Sequence, residues 1–374
     1  MRKQLMIIVS LALLLAACVT DFTPEVKGVS GILVVDGTIT DGESVFRLSR
    51  SVSITDDIRS ADTITNAEVS VERSDGVFFK ASQESKGAYR AINGALDPNL
   101  EYRLNISLDG KHYQSTFLKP LISAGIDSLS YQKKGREDPV TIHVSSHAGA
   151  DDPPYYRWTY KEDWEVKSTL YANARQGANG QIIWHNPNTS ENTYYCWVTD
   201  SSSVLLLGTA DKLAENRLVA HKLFEIPSSD ERLSVLYHVE VSQMQIRKEA
   251  YDYFKILQDE IERTGSIFSP IMSAGDNGNI FNVSEPDELV IGYVEVATVS
   301  HKGMFLSYDM NLYLPVVDEV AYCRIFKKGV GMGSDESMLW YRYPETVTFP
   351  SCVDCRTKPG ATKNRPAWWP NDHY

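Results

Sequence analysis

Beyond its first seventeen residues the chain has no apolar run long enough to cross a bilayer as a helix, which needs about 20 residues. Cations are also short: 37 Lys and Arg stand against 49 Asp and Glu, a formal net charge of −12. That balance excludes the basic surface through which nucleic acid or an anionic lipid layer is held. Catalytic signatures are missing as well. Neither a GxSxG nucleophile elbow, an HExxH zinc helix nor a phosphate-cradling glycine loop occurs, so no enzyme activity, metal or cofactor is expected. His143 and His147 lie four residues apart in TIHVSSHAG, but that pattern is a strand entering a turn, not a metal-binding helix. The doublets Asp151–Asp152 and Glu162–Asp163 do not form glycosidase pairs by themselves, because neighbours on a strand point to opposite faces. GDNGN (275–279) lacks the spacing and terminal glutamate of an EF-hand loop.

What the chain does have is a distinctive start. Arg2 and Lys3 precede the apolar run LMIIVSLALLLAA, which ends at Cys18. A positive n-region followed by a short h-region is a secretory signal, expected to be removed. Leu15, Ala16, Ala17 and Cys18 make the LAAC of a bacterial lipobox, so Cys18 is the expected lipidation site and new amino terminus. Several acyl chains on one residue anchor stably, since each buried methylene contributes about 0.8 kcal/mol. Loss of residues 1–17 leaves 35 cations against 49 acids, so the mature chain is near −14.

Four cysteines remain: Cys196, Cys323, Cys352 and Cys355. An even number outside the reducing cytoplasm predicts one or two disulfides, with three full pairings possible. Cys352 and Cys355 form a lone CxxC. Zinc would need a second pair at ligand spacing and a redox role would need a helix at the motif, whereas RTKPGATKNRP is loop chemistry.

The mature chain reads as mostly β. After the signal (1–17) and a lipidated tether (18–28), an N-terminal Ig- or prealbumin-like β-sandwich is expected over 29–122. Val69 and Val71 alternate with polar residues, as do Tyr102, Leu104, Ile106 and Leu108, and Asp75–Gly76 and Asp109–Gly110 mark hairpins. KPLISAGIDS, with Pro120 and Gly125, predicts a boundary, and 123–374 a larger β-rich domain. There Leu233, Val235, Tyr237, Val239 and Val241 predict a long half-buried strand. One amphipathic helix is expected over about 243–264, with Ser242 and Gln245 at capping-box spacing and Ile246, Ala250, Tyr253, Phe254, Leu257 and Ile261 on its apolar face. Gly265 is placed as its stop. Trp158, Trp164 and Trp184, with Tyr155, Tyr156 and Tyr160, cluster between 155 and 184. They are either core filling or a ligand-binding surface, since indole and phenol rings stack on sugars or on a partner.

The stretch FEIPSSDERLSVLYHVEVSQMQIRKEAYDYFKILQDEIERTGSIFSP, followed by GNIFNVSEPDELVIGYVEVATVS, is similar to the body of domain-of-unknown-function family 4249, lipoproteins of Bacteroidota-type envelopes. LVVDGTITD near the start, the Cys196–Trp197 pair and the terminal CVDC carry the same resemblance; the tail departs from the family in lacking its double glycine and in placing Arg365 before Pro366. The resemblance implies an outer-membrane location and the company of a TonB-dependent receptor, but no activity. The expectation is a non-catalytic accessory or ligand-capturing partner of such a transporter. The alternatives are a structural or assembly factor of the outer membrane and a hydrolase with an unrecognised site. Ligand identity, and whether the protein faces the periplasm or the cell surface, are left open.

Overall fold

The computed structural model describes residues 31–51, 62–172, 174–176, 182–184, 192–202, 204–264, 278–315, 323–327, 339–340 and 346–370. Cys18 and the tether therefore lie outside the described residues.

The first eight strands are β1 (Leu33–Ile39), β2 (Gly42–Arg50), β3 (Asp62–Thr63), β4 (Glu68–Arg73), β5 (Phe78–Ser85), β6 (Ala88–Gly94), β7 (Tyr102–Leu108) and β8 (Lys111–Ser115). Alternation drives them: Tyr102, Leu104, Ile106 and Leu108 are all buried while the residues between them are half-exposed. At the β7–β8 turn Asp109 and Gly110 both have positive φ, 51° and 80°. A two-residue turn of that hand matches strand twist, which is why Asp-Gly sits there. The first half of β5 pairs with β4 and its second half with β6, so this strand carries the chain from one layer of the sandwich to the other. Leu33, Phe46, Leu48, Val71, Tyr89, Leu104 and Tyr113 fill the space between.

This sandwich does not end at residue 122. Later strands β18 (Ile280–Asn282), β19 (Val290–Gly292) and β20 (Glu295–Val296) return to it, β18 against β8 and the other two in parallel with β1. Gly292 permits that closure: a Cβ there would lie 2.6 Å from the Val35 carbonyl. The apolar edge of β1 is thereby covered, so the expected division at 122/123 separates strands that share one core.

Between these two visits the chain builds a second sandwich from β9 (Ile126–Gln132), β10 (Val140–His147), β11 (Tyr155–Lys167), β14 (Tyr195–Ser201), β15 (Leu206–Thr209), β16 (Arg217–Ile226) and β17 (Leu236–Ile246), joined by β21 (Ser300–Ser307), while β12 (Ala174–Gln176) and β13 (Ile182–Trp184) lie outside it. Its layers are β16-β10-β9 and β14-β11-β17-β21, with β15 also on β11. Strand β17 is buried on both faces, not one: Tyr237, Val239 and Val241 point into the core, and Leu236, His238 and Met244 on the other side are buried too. The C-terminal segment supplies the second cover, with Trp369 packed on Leu236.

One main helix, α1 (Lys248–Thr264), follows. It starts later than the Ser242 cap predicts. Residues Ser242 to Ile246 are held in the ladder, with Ser242 opposite both Thr159 and His301, and sheet pairing on two sides overrides local capping. The capping acceptor is instead Glu295, whose carboxylate takes the Arg247 N–H at 3.0 Å. Ala250, Tyr253 and Phe254 pack on Tyr293, Ala297 and Ile246, with Glu249, Asp252 and Asp259 outward. Gly265 lies outside the described residues. Strands β22 (Phe326–Lys327), β23 (Leu339–Trp340) and β24 (Thr346–Thr348) join β12 and β13 in a small third sheet, and a short helix α2 (Pro350–Val353) precedes the final segment.

Candidate functional site

Of the clustered aromatics, Tyr156, Trp158, Tyr160 and Trp164 share the core-facing side of β11, whereas Tyr155 faces the helix and Trp184 lies on another strand. Tyr156 and Trp158 project from β11 into the second core; Trp158 is 1% exposed and donates its indole N–H to Gln243 at 2.8 Å, and Tyr156 donates to Asn216 at 2.8 Å. Tyr160 stacks on Phe224 with centroids 4.1 Å apart, and Trp164 is half-buried. Trp184, on β13, is 57% exposed. A shared ligand surface over Tyr156, Trp158, Tyr160, Trp164 and Trp184 is therefore corrected: burial of the first two against β10 and β17 makes the group mainly core. Glu162 and Asp163 do point to opposite faces, Glu162 inward to Arg232 and Tyr237 and Asp163 outward to Thr199. His143 and His147 lie on β10, where His147 bonds Asp127 at 2.7 Å.

The cysteines of the CxxC each take a different partner. Cys355 is joined to Cys196 on β14, and Cys352 to Cys323. With the Trp197–Thr362 bridge, these bonds lay the C-terminal segment over the outer face of the β14-β11-β17-β21 sheet.

Where that sheet ends, a cavity opens. Strand β11 finishes at Lys167, β17 begins after the 3-10 turn Glu231–Leu233, and β21 finishes before the turn Tyr308–Met310, so antiparallel order brings all three to one edge. Lys167, Glu231, Ser234, Tyr308, Tyr313 and Pro315 line a space of about 210 Å³. The backbone is tied together around it: Tyr308 N–H donates to the Val235 carbonyl at 2.9 Å and Leu314 N–H to that of Ser228 at 2.7 Å. Beneath lies a charged network. Arg232 bonds Asp230 and Glu162, at 2.8 and 2.7 Å, and Tyr237 donates to the same Glu162. Burial pushes the Asp230 carboxyl up, but Arg232 outweighs it and holds it below the usual range. Burial, with the Glu162 charge beside it, holds the Tyr237 hydroxyl far above its ordinary value, so it stays a donor.

Two lining groups stand out against this satisfied floor. Ser234 is 7% exposed and its hydroxyl has no hydrogen-bond partner among the described residues. Such a group costs about 1–3 kcal/mol, which makes it a position prepared for something else. Lys167 has no carboxylate partner among the described residues; its ammonium lies 5.7 Å from the centre of the Tyr308 ring. Glu231, by contrast, is already paired with Lys358 from the C-terminal segment. A second, wider hollow of about 440 Å³ sits beside His147, Asn216 and Arg217, but Asn216 there is fully engaged by Tyr156, Gly149 and Asp152.

The sequence pattern described as "Domain of unknown function (DUF4249)" matches residues 19–303. The chain belongs to the DUF4249 family. The matched stretch of this DUF4249 protein includes Lys167, Glu231 and Ser234 and stops before Tyr308, Tyr313, Pro315 and three of the disulfide cysteines. Among curated proteins none matches the chain. The crystal structure of a DUF4785 family protein from Legionella pneumophila is similar at 10% identity and a TM-score of 0.17, covering 50% of this chain and 56% of that chain. This chain thus spans little more than half the length of that relative, and a likeness so weak carries no argument. The cavity residues of the DUF4249 chain escaped the sequence reading because each is an ordinary residue type at an element end, and only antiparallel pairing brings them together.

Proposed function

We propose that this DUF4249 protein is an outer-membrane lipoprotein, anchored through acylated Cys18, that works without catalysis as a ligand-capturing accessory of a TonB-dependent transporter. The observation that carries the binding half of this reading is the cavity with its unpartnered Ser234 hydroxyl and uncompensated Lys167. The lipobox supports the anchor, and two intrachain disulfides suit a compartment outside the reducing cytoplasm. The transporter as partner rests on the family's resemblance to receptor-associated lipoproteins. Capture moves from the aromatic run of 155–184, which is mostly core, to the sheet end. Affinity purification of the lipidated protein from gently solubilised outer membranes tests the partnership. Stoichiometric recovery of a TonB-dependent receptor is the expected outcome, and its absence contradicts the accessory role.

A second reading, an envelope assembly factor, is favoured by one feature. Phe305 and Trp368, 38% and 49% exposed, lie side by side on the outer face of the sheet with centroids 6.1 Å apart. Exposed aromatic pairs of this kind suit a protein partner. Recovery of assembly machinery in the same purification, in place of a receptor, supports that alternative.

A further inference from the structure

We infer that the sheet-end cavity binds a small organic carboxylate of monosaccharide size, a uronic acid by chemical class; this rests on the binding role proposed above. Three properties of the lining select it. The first is charge. Glu231 is neutralised by Lys358, and the ammonium of Lys167 is the one lining charge left uncompensated among the described residues, in a chain whose net charge is −12. An isolated cation in an acidic protein selects an anion, and neutral ligands leave it unpaired.

The second property is the buried hydroxyl. Ser234 Oγ has no partner and its residue lines the cavity, so a ligand oxygen placed there completes a hydrogen bond that the folded chain leaves open. The hydroxyl both donates and accepts, which fits a sugar hydroxyl in either orientation. The third is shape. A space of about 210 Å³ is below the roughly 300–1,000 Å³ of sites for drug-sized ligands. Lys167 Nζ stands over the Tyr308 ring, 5.7 Å from its centre, so that a cation and an aromatic ring meet in one place. A pyranose ring lying on Tyr308 and turning its single carboxylate to Lys167 uses both.

The test is calorimetric titration of the full lipidated protein, in detergent, with D-galacturonate and D-glucuronate as probes and D-galactose, D-glucose and acetate as controls. Saturable binding of a uronate is expected, with the matching neutral sugar and acetate each weaker by at least about tenfold. Lys167→Met weakens uronate binding by about 10- to 100-fold and abolishes the preference over the neutral sugar, and Ser234→Ala weakens both by about tenfold. Lys167 is exposed and Ser234→Ala removes only an unpaired hydroxyl, so unchanged thermal unfolding shows that both variants fold. Absence of saturable uronate binding, equal binding of the neutral sugar, or undiminished binding by Lys167→Met overturns the inference. Recovery of a receptor without uronate binding would defeat this assignment alone, whereas uronate binding without a receptor would defeat the transporter partnership alone.

Discussion

Ser234 shows how one atom separates stability from binding. Its buried hydroxyl lacks a partner among the described residues, so Ser234→Ala is expected to leave folding stability unchanged or to raise it by up to about 1 kcal/mol, as read by urea unfolding. Arg232 behaves in the opposite way. Arg232→Met strands Glu162 in the protein interior with Tyr237 as its remaining partner, and a loss of about 3–5 kcal/mol is expected in the same measurement. Burial holds the imidazoles of His238 and His221 below their ordinary value, although Asp163 and Glu240 oppose this at His238. The unfolded chain therefore takes up these protons first as pH falls through about 6.5, so the contribution of these two groups to stability is level above that pH and declines below it. Unfolding midpoints measured between pH 8 and 5 should show this slope, and His238→Gln should reduce it. Trp158 was legible in sequence only as an aromatic of either kind. Its surroundings decide the matter, because a Cβ on Gly208 would lie 2.6 Å from its ring, an approach that no local pattern announces.

Among the elements, those whose partners are close in sequence were read correctly. The β4–β5 and β7–β8 hairpins follow from alternation and Asp-Gly turns, and α1 presents its apolar stripe to the protein as its 3.6-residue period requires. The start of α1 was misplaced because the strand before it competes for the same residues, and that competition is settled by Thr159 and His301, both distant in sequence. Distance also hid the disulfide pairing. The spacing Cys352-x-x-Cys355 advertises one unit, yet its members face β14 on one side and Cys323 on the other. The Cys196–Cys355 bond spans 159 residues. Loop-closure entropy places its contribution at about 5 kcal/mol at most. Replacing both cysteines by alanine is expected to release the segment carrying Lys358 and Trp369, which hydrogen exchange at Thr362 would register as lost protection. Persistence of that protection would show that Trp369 and the Trp197–Thr362 bridge suffice to hold it.

At the scale of the molecule, the mostly β architecture was apparent from composition and periodicity, whereas the interleaving of its two sandwiches was not. Strands β18 to β20 lie beyond α1 in sequence and still complete the sheet begun by β1, and parallel pairing between such distant segments leaves no short-range signature. A fragment ending at residue 122 would expose the β1 edge and the part of the core that Ile280, Val290, Val294 and Val296 cover. Such a fragment is expected to aggregate or to unfold without cooperativity, and a sharp unfolding transition would contradict the shared core. The same interleaving fixes the sheet end where Lys167, Ser234 and Tyr308 meet, since both β17 and β21 flank the excursion of the chain through α1 and β18 to β20.

The proposed role requires that this molecule be held at an envelope membrane by its first mature residue. The most direct measurement is mass spectrometry of the amino-terminal peptide of the membrane-associated protein, alongside fractionation of a Cys18→Ala variant. An acylated amino terminus at Cys18, with the variant released in soluble form, is the predicted result. An unmodified Cys18, or a variant that stays with the membrane, would contradict the lipid anchor and with it the placement of the binding site at the membrane surface.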